Sequence, residues 1–144
     1  MRRGMMAPAL LATLLAVVAC SDGGTTTPTA LTPASAIIEV DGVATADNIL
    51  LVAGATVPAE IRFYNSDGIE ITGIEDESFA KITFAPTTMA SAVDVPGEHF
   101  HKSLTAGPEI ESGTAVIGFG HDASAHDLSF GPYSVTVVAA ADIR

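Results

Sequence analysis

The four histidines of the chain all lie between residues 99 and 126, and they form two pairs: His99 with His101, and His121 with His126. Residues two apart in a β-strand project from the same face, so a strand here would present His99 and His101 together. Asp127 directly follows the second pair. Imidazole nitrogens together with a carboxylate are a usual ligand set for zinc or copper(II). These five residues are therefore a candidate metal site.

Two predicted strands, 99–105 and 114–120, decide whether the two pairs meet. They are joined by a loop at 106–113, so we expect them to run in opposite directions, with both histidine pairs at the same end of the domain. The alternative is that the pairs lie on different sheets, about 10 Å apart. In that case the histidines are solvated or hydrogen-bonded within the protein, and spacing alone does not decide between the two.

No signature of a catalytic site accompanies the histidines. The sequence has no Gly-x-Ser-x-Gly, no His-Glu-x-x-His and no phosphate-binding glycine loop. The acidic stretches 75–77 and 109–111 lack the alternating Asp/Asn and Gly of a calcium loop, so we interpret them as solvated turns. We expect a protein that is not an enzyme.

The elements that would position the histidines are short strands. Polar and apolar residues alternate along 59–64, and an Asn-Ser-Asp-Gly turn follows at 65–68. We interpret Pro58 as a bulge or as the start of that strand, because proline cannot donate to a ladder. Glycine, proline, asparagine and aspartate separate the candidates, which is typical of a sandwich. The remaining candidate strands are 37–40, 48–52, 69–72, 79–84, 99–105, 114–120 and 133–138. The prediction is an all-β, immunoglobulin-like sandwich over residues 36–144.

The order of features in this region resembles the bacterial immunoglobulin-like domains, especially group 2. The matching segments are Leu50-Leu51-Val52-Ala53-Gly54-Ala55-Thr56-Val57, Ser66-Asp67-Gly68, Ala106-Gly107, Gly113-Thr114-Ala115-Val116-Ile117 and Val135-Thr136-Val137. The chain departs from that pattern in two places: residues 79–84 stand where the family has a Trp-Ser-Ser segment, and residues 108–112 are inserted. The resemblance implies an adhesive, spacer or binding module without catalytic residues. The segment 121–137 also resembles histidine-bearing lipoproteins that contain immunoglobulin-like domains.

The first twenty residues have the features of a secretory signal. Two arginines precede an apolar run at 7–19, which is too short to span a bilayer. The run ends in Val17-Val18-Ala19-Cys20, which resembles the bacterial lipobox. That resemblance implies a signal peptide over 1–19, lipidation of Cys20, and, with Ser21 next, an outer-membrane destination in the cell envelope. The alternative is an ordinary cleaved signal beside a chance cysteine. A single cysteine excludes an internal disulfide.

Residues 20–35 are rich in threonine, proline, glycine and serine, and predict a flexible linker between Cys20 and the domain. After cleavage, four basic and seventeen acidic residues would remain, a formal charge of −13. This charge argues against nucleic-acid binding and against contact of the domain with an anionic membrane surface. The expected partners are the membrane, through Cys20, and an envelope protein or a glycan. The alternative function is binding of zinc or copper at the histidines.

Overall fold

The computed structural model describes residues 32–45, 47–74 and 76–142, and these fold into strands. The predicted signal peptide, Cys20 and most of the predicted linker lie outside the described residues. A short 3-10 helix covers Ala140–Asp142. The strands are β1 (Ser35–Val40), β2 (Val43–Thr45), β3 (Asn48–Val52), β4 (Thr56–Tyr64), β5 (Phe79–Ala85), β6 (Ala90–Val95), β7 (Glu98–Ala106), β8 (Ser112–Gly120) and β9 (Leu128–Val138).

The strands form two sheets, one ordered β2-β1-β4-β7-β6 and the other β3-β9-β8-β5. All neighbouring strands are antiparallel except β3 and β9, which pair in parallel. Apart from the short β2, the first sheet has the A-B-E-D order of an immunoglobulin domain, and β5, β8 and β9 correspond to C, F and G. The predicted all-β sandwich is confirmed.

Alternation along the strands builds the core, because one face of each sheet turns inward. In β8, Ala115, Ile117 and Phe119 are buried while their neighbours Thr114 and Val116 are exposed. At one end of the sandwich the core is aromatic. Phe63 has its ring centroid 5.0 Å from that of Phe100, 4.9 Å from that of Phe119 and 5.6 Å from that of Phe130. Edge-to-face contacts of this kind add to burial and anchor four strands to one another in a chain without tryptophan.

Several predicted strands need correction. The predicted strand at 69–72 does not form; its backbone makes only an isolated bridge between Tyr64 and Glu70. Strands β2 and β6 were not predicted. Pro58 lies within β4, and its carbonyl accepts from the Asp41 amide on the β1 side. Pairing with β1 stops at Ala59, so the missing N–H of proline faces a side where the ladder has ended.

The chain enters at one end of the sandwich, which we call the linker end. Pro33 is buried and the Ala34 amide donates to the Tyr64 carbonyl at 2.8 Å, so ordered contacts begin within the predicted linker. The last strand leaves at the opposite end, where Val138 pairs with Val52. Nothing in the part of the chain described is a helix long and apolar enough to span a membrane.

Candidate functional site

A cavity of about 490 Å³ opens at the linker end of the sandwich. We call it the linker-end cavity. It lies where residues 32–33 lead into β1, where β8 ends and where β9 begins, and Phe119 of the aromatic core is part of its lining. It is lined by Thr32, Pro33, Gly73, Ile74, Glu77, Ser78, Phe119, His121, Asp127 and Leu128.

The loop 121–127, which joins β8 to β9, contributes His121 and Asp127 to the cavity. Ala125 is buried and adopts a left-handed backbone with φ of 46°. It packs directly on β8: a Cβ placed on Gly118 would lie 2.1 Å from the Ala125 carbonyl oxygen, and one on Gly120 would lie 2.9 Å from the Ala125 Cα. Glycine at these two positions is therefore what lets the loop fold back on the sheet.

His121 and Asp127 close this loop. The His121 backbone N–H donates to Asp127 Oδ2 at 3.1 Å, and His121 Nδ1 lies 2.9 Å from the same oxygen. The side-chain hydrogen bond from His121, and then the backbone one, lower the pKa of Asp127 below its ordinary value of 3.8. Asp127 is thus a carboxylate at neutral pH. Because a carboxylate oxygen only accepts, the hydrogen in the side-chain contact belongs to Nδ1.

Asp122, Ser124 and His126 form a second set of contacts in the same loop. The Ser124 amide donates to Asp122 Oδ1 at 2.8 Å, and its hydroxyl contacts both that oxygen and His126 Nδ1. Hydrogen bonds from Ser124, first the side-chain one, lower the pKa of Asp122. The serine stands between the acid and the histidine, whereas a hydrolase triad needs the histidine in the middle. The arrangement therefore differs from a hydrolase triad, and its hydrogen bonds lie within the turn 122–126.

The other two histidines lie on β7, in the first sheet. The His99 ring packs on Phe79, with centroids 4.2 Å apart. His101 lies on the outer face of that sheet, where its Nδ1 is 3.2 Å from a Glu98 oxygen and its Nε2 is 3.8 Å from a Glu60 oxygen. Because β7 and β8 belong to different sheets, the alternative in which the two pairs are separated is the one the structure shows.

The structure places His121 with Asp127 and His126 with Asp122, and it leaves His101 among glutamates on another surface. Within residues 32–45, 47–74 and 76–142 there is no group of three or more histidine, cysteine, aspartate or glutamate side chains arranged to hold a metal ion. The assignment of zinc or copper to His99, His101, His121, His126 and Asp127 remains a prediction.

Sequence reasoning missed a buried lysine. Lys102 has only 1 % of its side chain exposed, and its Nζ lies 2.6 Å from Asp94 Oδ1 and 2.6 Å from the His99 carbonyl oxygen. These contacts span an irregularity in the β6–β7 ladder, where Asp94 pairs with Lys102 but Val95 pairs with Glu98. The alternation along β7 could have indicated this burial, because Lys102 has the same inward-facing parity as Phe100 and Leu104.

Sequence reasoning also missed most of the cavity lining. Ile74, Glu77 and Ser78 belong to the segment between β4 and β5, which was interpreted as a strand followed by a solvated turn. Leu128 begins β9, which starts five residues earlier than predicted. No local pattern brings this segment, the 121–127 loop and residues 32–33 together, so only the folded chain shows the cavity.

Comparisons with known proteins find similarity only among solved structures. No protein-family model and no curated protein matches the chain. Among solved structures, it is similar to domains 4 and 5 of the S-layer protein SbsC, with 18% identity, a TM-score of 0.44 and coverage of 71% of this chain and 51% of that one. It is also similar to domains 6–7 of the surface layer protein SbsC, with 13% identity, a TM-score of 0.37 and coverage of 74% and 47%. The chain spans about half the length of these fragments, and at such identities the likeness concerns the β-fold alone.

Proposed function

We propose that the protein is a lipid-anchored module of a bacterial cell envelope, held at an outer membrane through Cys20 and acting by binding or spacing rather than by catalysis. The sequence supports the anchor: charge, apolar run, lipobox-like residues and a polar linker follow one another in order. The observation that carries the role of the domain is the position of its ends. The linker enters at the cavity end, and β9 leaves at the opposite end.

This arrangement supports a sandwich that stands on its linker. Between Cys20 and Thr32 the chain reaches at most about 40 Å when fully extended, at roughly 3.3–3.6 Å per residue. The acidic surface of the domain opposes close contact with anionic lipid. The linker-end cavity would then face the anchoring membrane, and the opposite end would be presented outward to an envelope protein or a glycan.

The anchor is tested by Cys20→Ser, expressed in a bacterial host with a metabolic fatty-acid label. We expect the native chain to carry the label and to fractionate with membranes at its mature size. The Ser variant should lose the label and become soluble or remain an uncleaved precursor. Ser21→Ala is the matched control and should keep the label. A Ser variant that still runs at mature size and partitions into detergent contradicts the anchor.

The loop 121–127 supports a second candidate function, metal binding in the envelope, because it gathers two histidines and two aspartates in seven residues. Asp127 and His121 would supply two ligands, with others from the loop or from solvent. Zinc or copper should then raise the melting temperature near neutral pH and much less in acid, because imidazolium cannot coordinate a metal. His121→Ala should abolish the increase, and Glu111→Ala, at the opposite end, should not. Equal melting temperatures with and without metal at neutral pH would rule this candidate out.

A further inference from the structure

We propose that the linker-end cavity is a binding site for a small organic cation, in which an ammonium group contacts Asp127 and a hydrocarbon body packs on the apolar wall. The inference rests on the proposed role of the domain as a binding module, and it does not depend on the lipid anchor.

The charge of the cavity favours a cation. Asp127 and Glu77 both line it, and the lining residues that the structure describes include no lysine or arginine. The whole chain carries a formal charge of −11, so its long-range field adds to the local one. An anionic ligand would meet these carboxylates without a compensating positive charge, which opposes its binding.

The hydrogen-bonding groups also select a donor. In the part of the chain that the structure describes, both donors to Asp127 reach Oδ2, which leaves Oδ1 as an acceptor. An ammonium group has three donors and no acceptor, so it matches this carboxylate oxygen, whereas a carboxylate or phosphate does not.

The remaining wall determines the body of the ligand. Pro33, Ile74, Phe119 and Leu128 line the same cavity as the His121–Asp127 pair. The volume of about 490 Å³ falls within the range of small-molecule sites. Carboxylates and hydrocarbon in one cavity together fit an amine that carries an alkyl or ring substituent, rather than a bare metal ion.

The test uses the full-length chain in nonionic detergent near neutral pH, titrated with three probes of the same shape: cyclohexylmethylamine, cyclohexylmethanol and cyclohexanecarboxylate. Amide NMR signals of Ser78, His121, Asp127 and Leu128 report on the cavity. We expect the amine to shift them saturably, with a dissociation constant of about 1 mM or below. The alcohol should bind about tenfold more weakly, and the carboxylate should cause no shift.

Asp127→Asn should weaken amine binding about tenfold. Because Asp127→Asn also changes the loop, Glu77→Gln is the second test. The described hydrogen bond of Glu77 is made by its backbone amide, so the substitution keeps it, and Glu77→Gln should also weaken amine binding. Glu109→Gln, an exposed acid outside the cavity, should leave the affinity unchanged. Equal affinity for amine and alcohol, shifts confined to other residues, or no saturable shift would each overturn the proposal. Loss of lipidation in Cys20→Ser would overturn the anchor and leave this result unaffected.

Discussion

The buried lysine offers a sharp test of how the first sheet is held together. Of the charged residues whose burial is described, Lys102 alone lies in the core, and its ammonium group contacts a carboxylate and a backbone carbonyl. Asp94, the carboxylate partner, has 63% of its side chain exposed. The substitution Asp94→Asn keeps the size of this partner and removes its charge, so that the ammonium group remains buried beside neutral oxygens only.

The magnitude follows from the unequal exposure of the two partners. Breaking a fully buried ion pair costs about 3–5 kcal/mol, and an exposed pair contributes about 0–1 kcal/mol. Because solvent screens Asp94 but not Lys102, we expect Asp94→Asn to lower the free energy of unfolding by about 1–2 kcal/mol, in line with the worth of a charged hydrogen bond. Lys102→Met removes the buried charge and fills its space. We expect it to lie within about 1 kcal/mol of the native chain, since apolar replacement of buried ions is often neutral.

Urea unfolding of the native chain, both single variants and the double variant measures the coupling between the two residues. In the Lys102→Met background, Asp94→Asn should cost less than about 0.5 kcal/mol, because no ammonium group remains to be stabilised. Glu109→Gln is the control for loss of one exposed acid and should also change stability by less than about 0.5 kcal/mol. If Asp94→Asn costs the same with and without Lys102, the pair does not hold the irregular part of the β6–β7 ladder.

Three further predictions concern the loop and the core. Gly118→Ala should destabilise the chain by about 1–3 kcal/mol, since its Cβ would lie 2.1 Å from a backbone oxygen, whereas Val116→Ala on the same strand should cost less; thermal melts compare them. Burial, and then Asp47, raise the pKa of Tyr133 above its ordinary value of 10.0, and its neutral phenol donates to the Ala36 carbonyl. The stability that this phenol contributes should be complete below 10.0 and be lost as pH rises through the folded-state pKa, which the absorbance of the phenolate checks. The pKa of Asp127 is lowered, so the stability that its carboxylate contributes is complete above the ordinary value of 3.8 and is lost as pH falls through the folded-state pKa. The NMR signals of the 121–127 loop should therefore change in acid before those of the core, and unchanged loop signals in acid would contradict this.

The period-two pattern by itself determined the sandwich, because alternation is a local property that survives in any register. The predicted strand at 48–52 coincides with β3, and the strand at 99–105 lies within β7. The same rule failed at 69–72, where alternation is present but the described residues form a single bridge instead of a strand. It also missed β6, whose run of small and polar residues becomes a strand only because β7 provides the partner.

Most features of the site, namely which histidines lie together and which segments line the cavity, were decided by the tertiary structure. The sequence placed both histidine pairs near one end, because the direction of consecutive strands follows from the loop between them. It could not decide which sheet each strand joins, so it could not separate His101 from His121. The contact between His121 and Asp127 depends on Ala125 packing against Gly118, which is a contact between a loop and a sheet face. The cavity requires residues 32–33, the segment before β5 and the 121–127 loop to converge. The spacing of residues within one segment does not determine its distance from another segment.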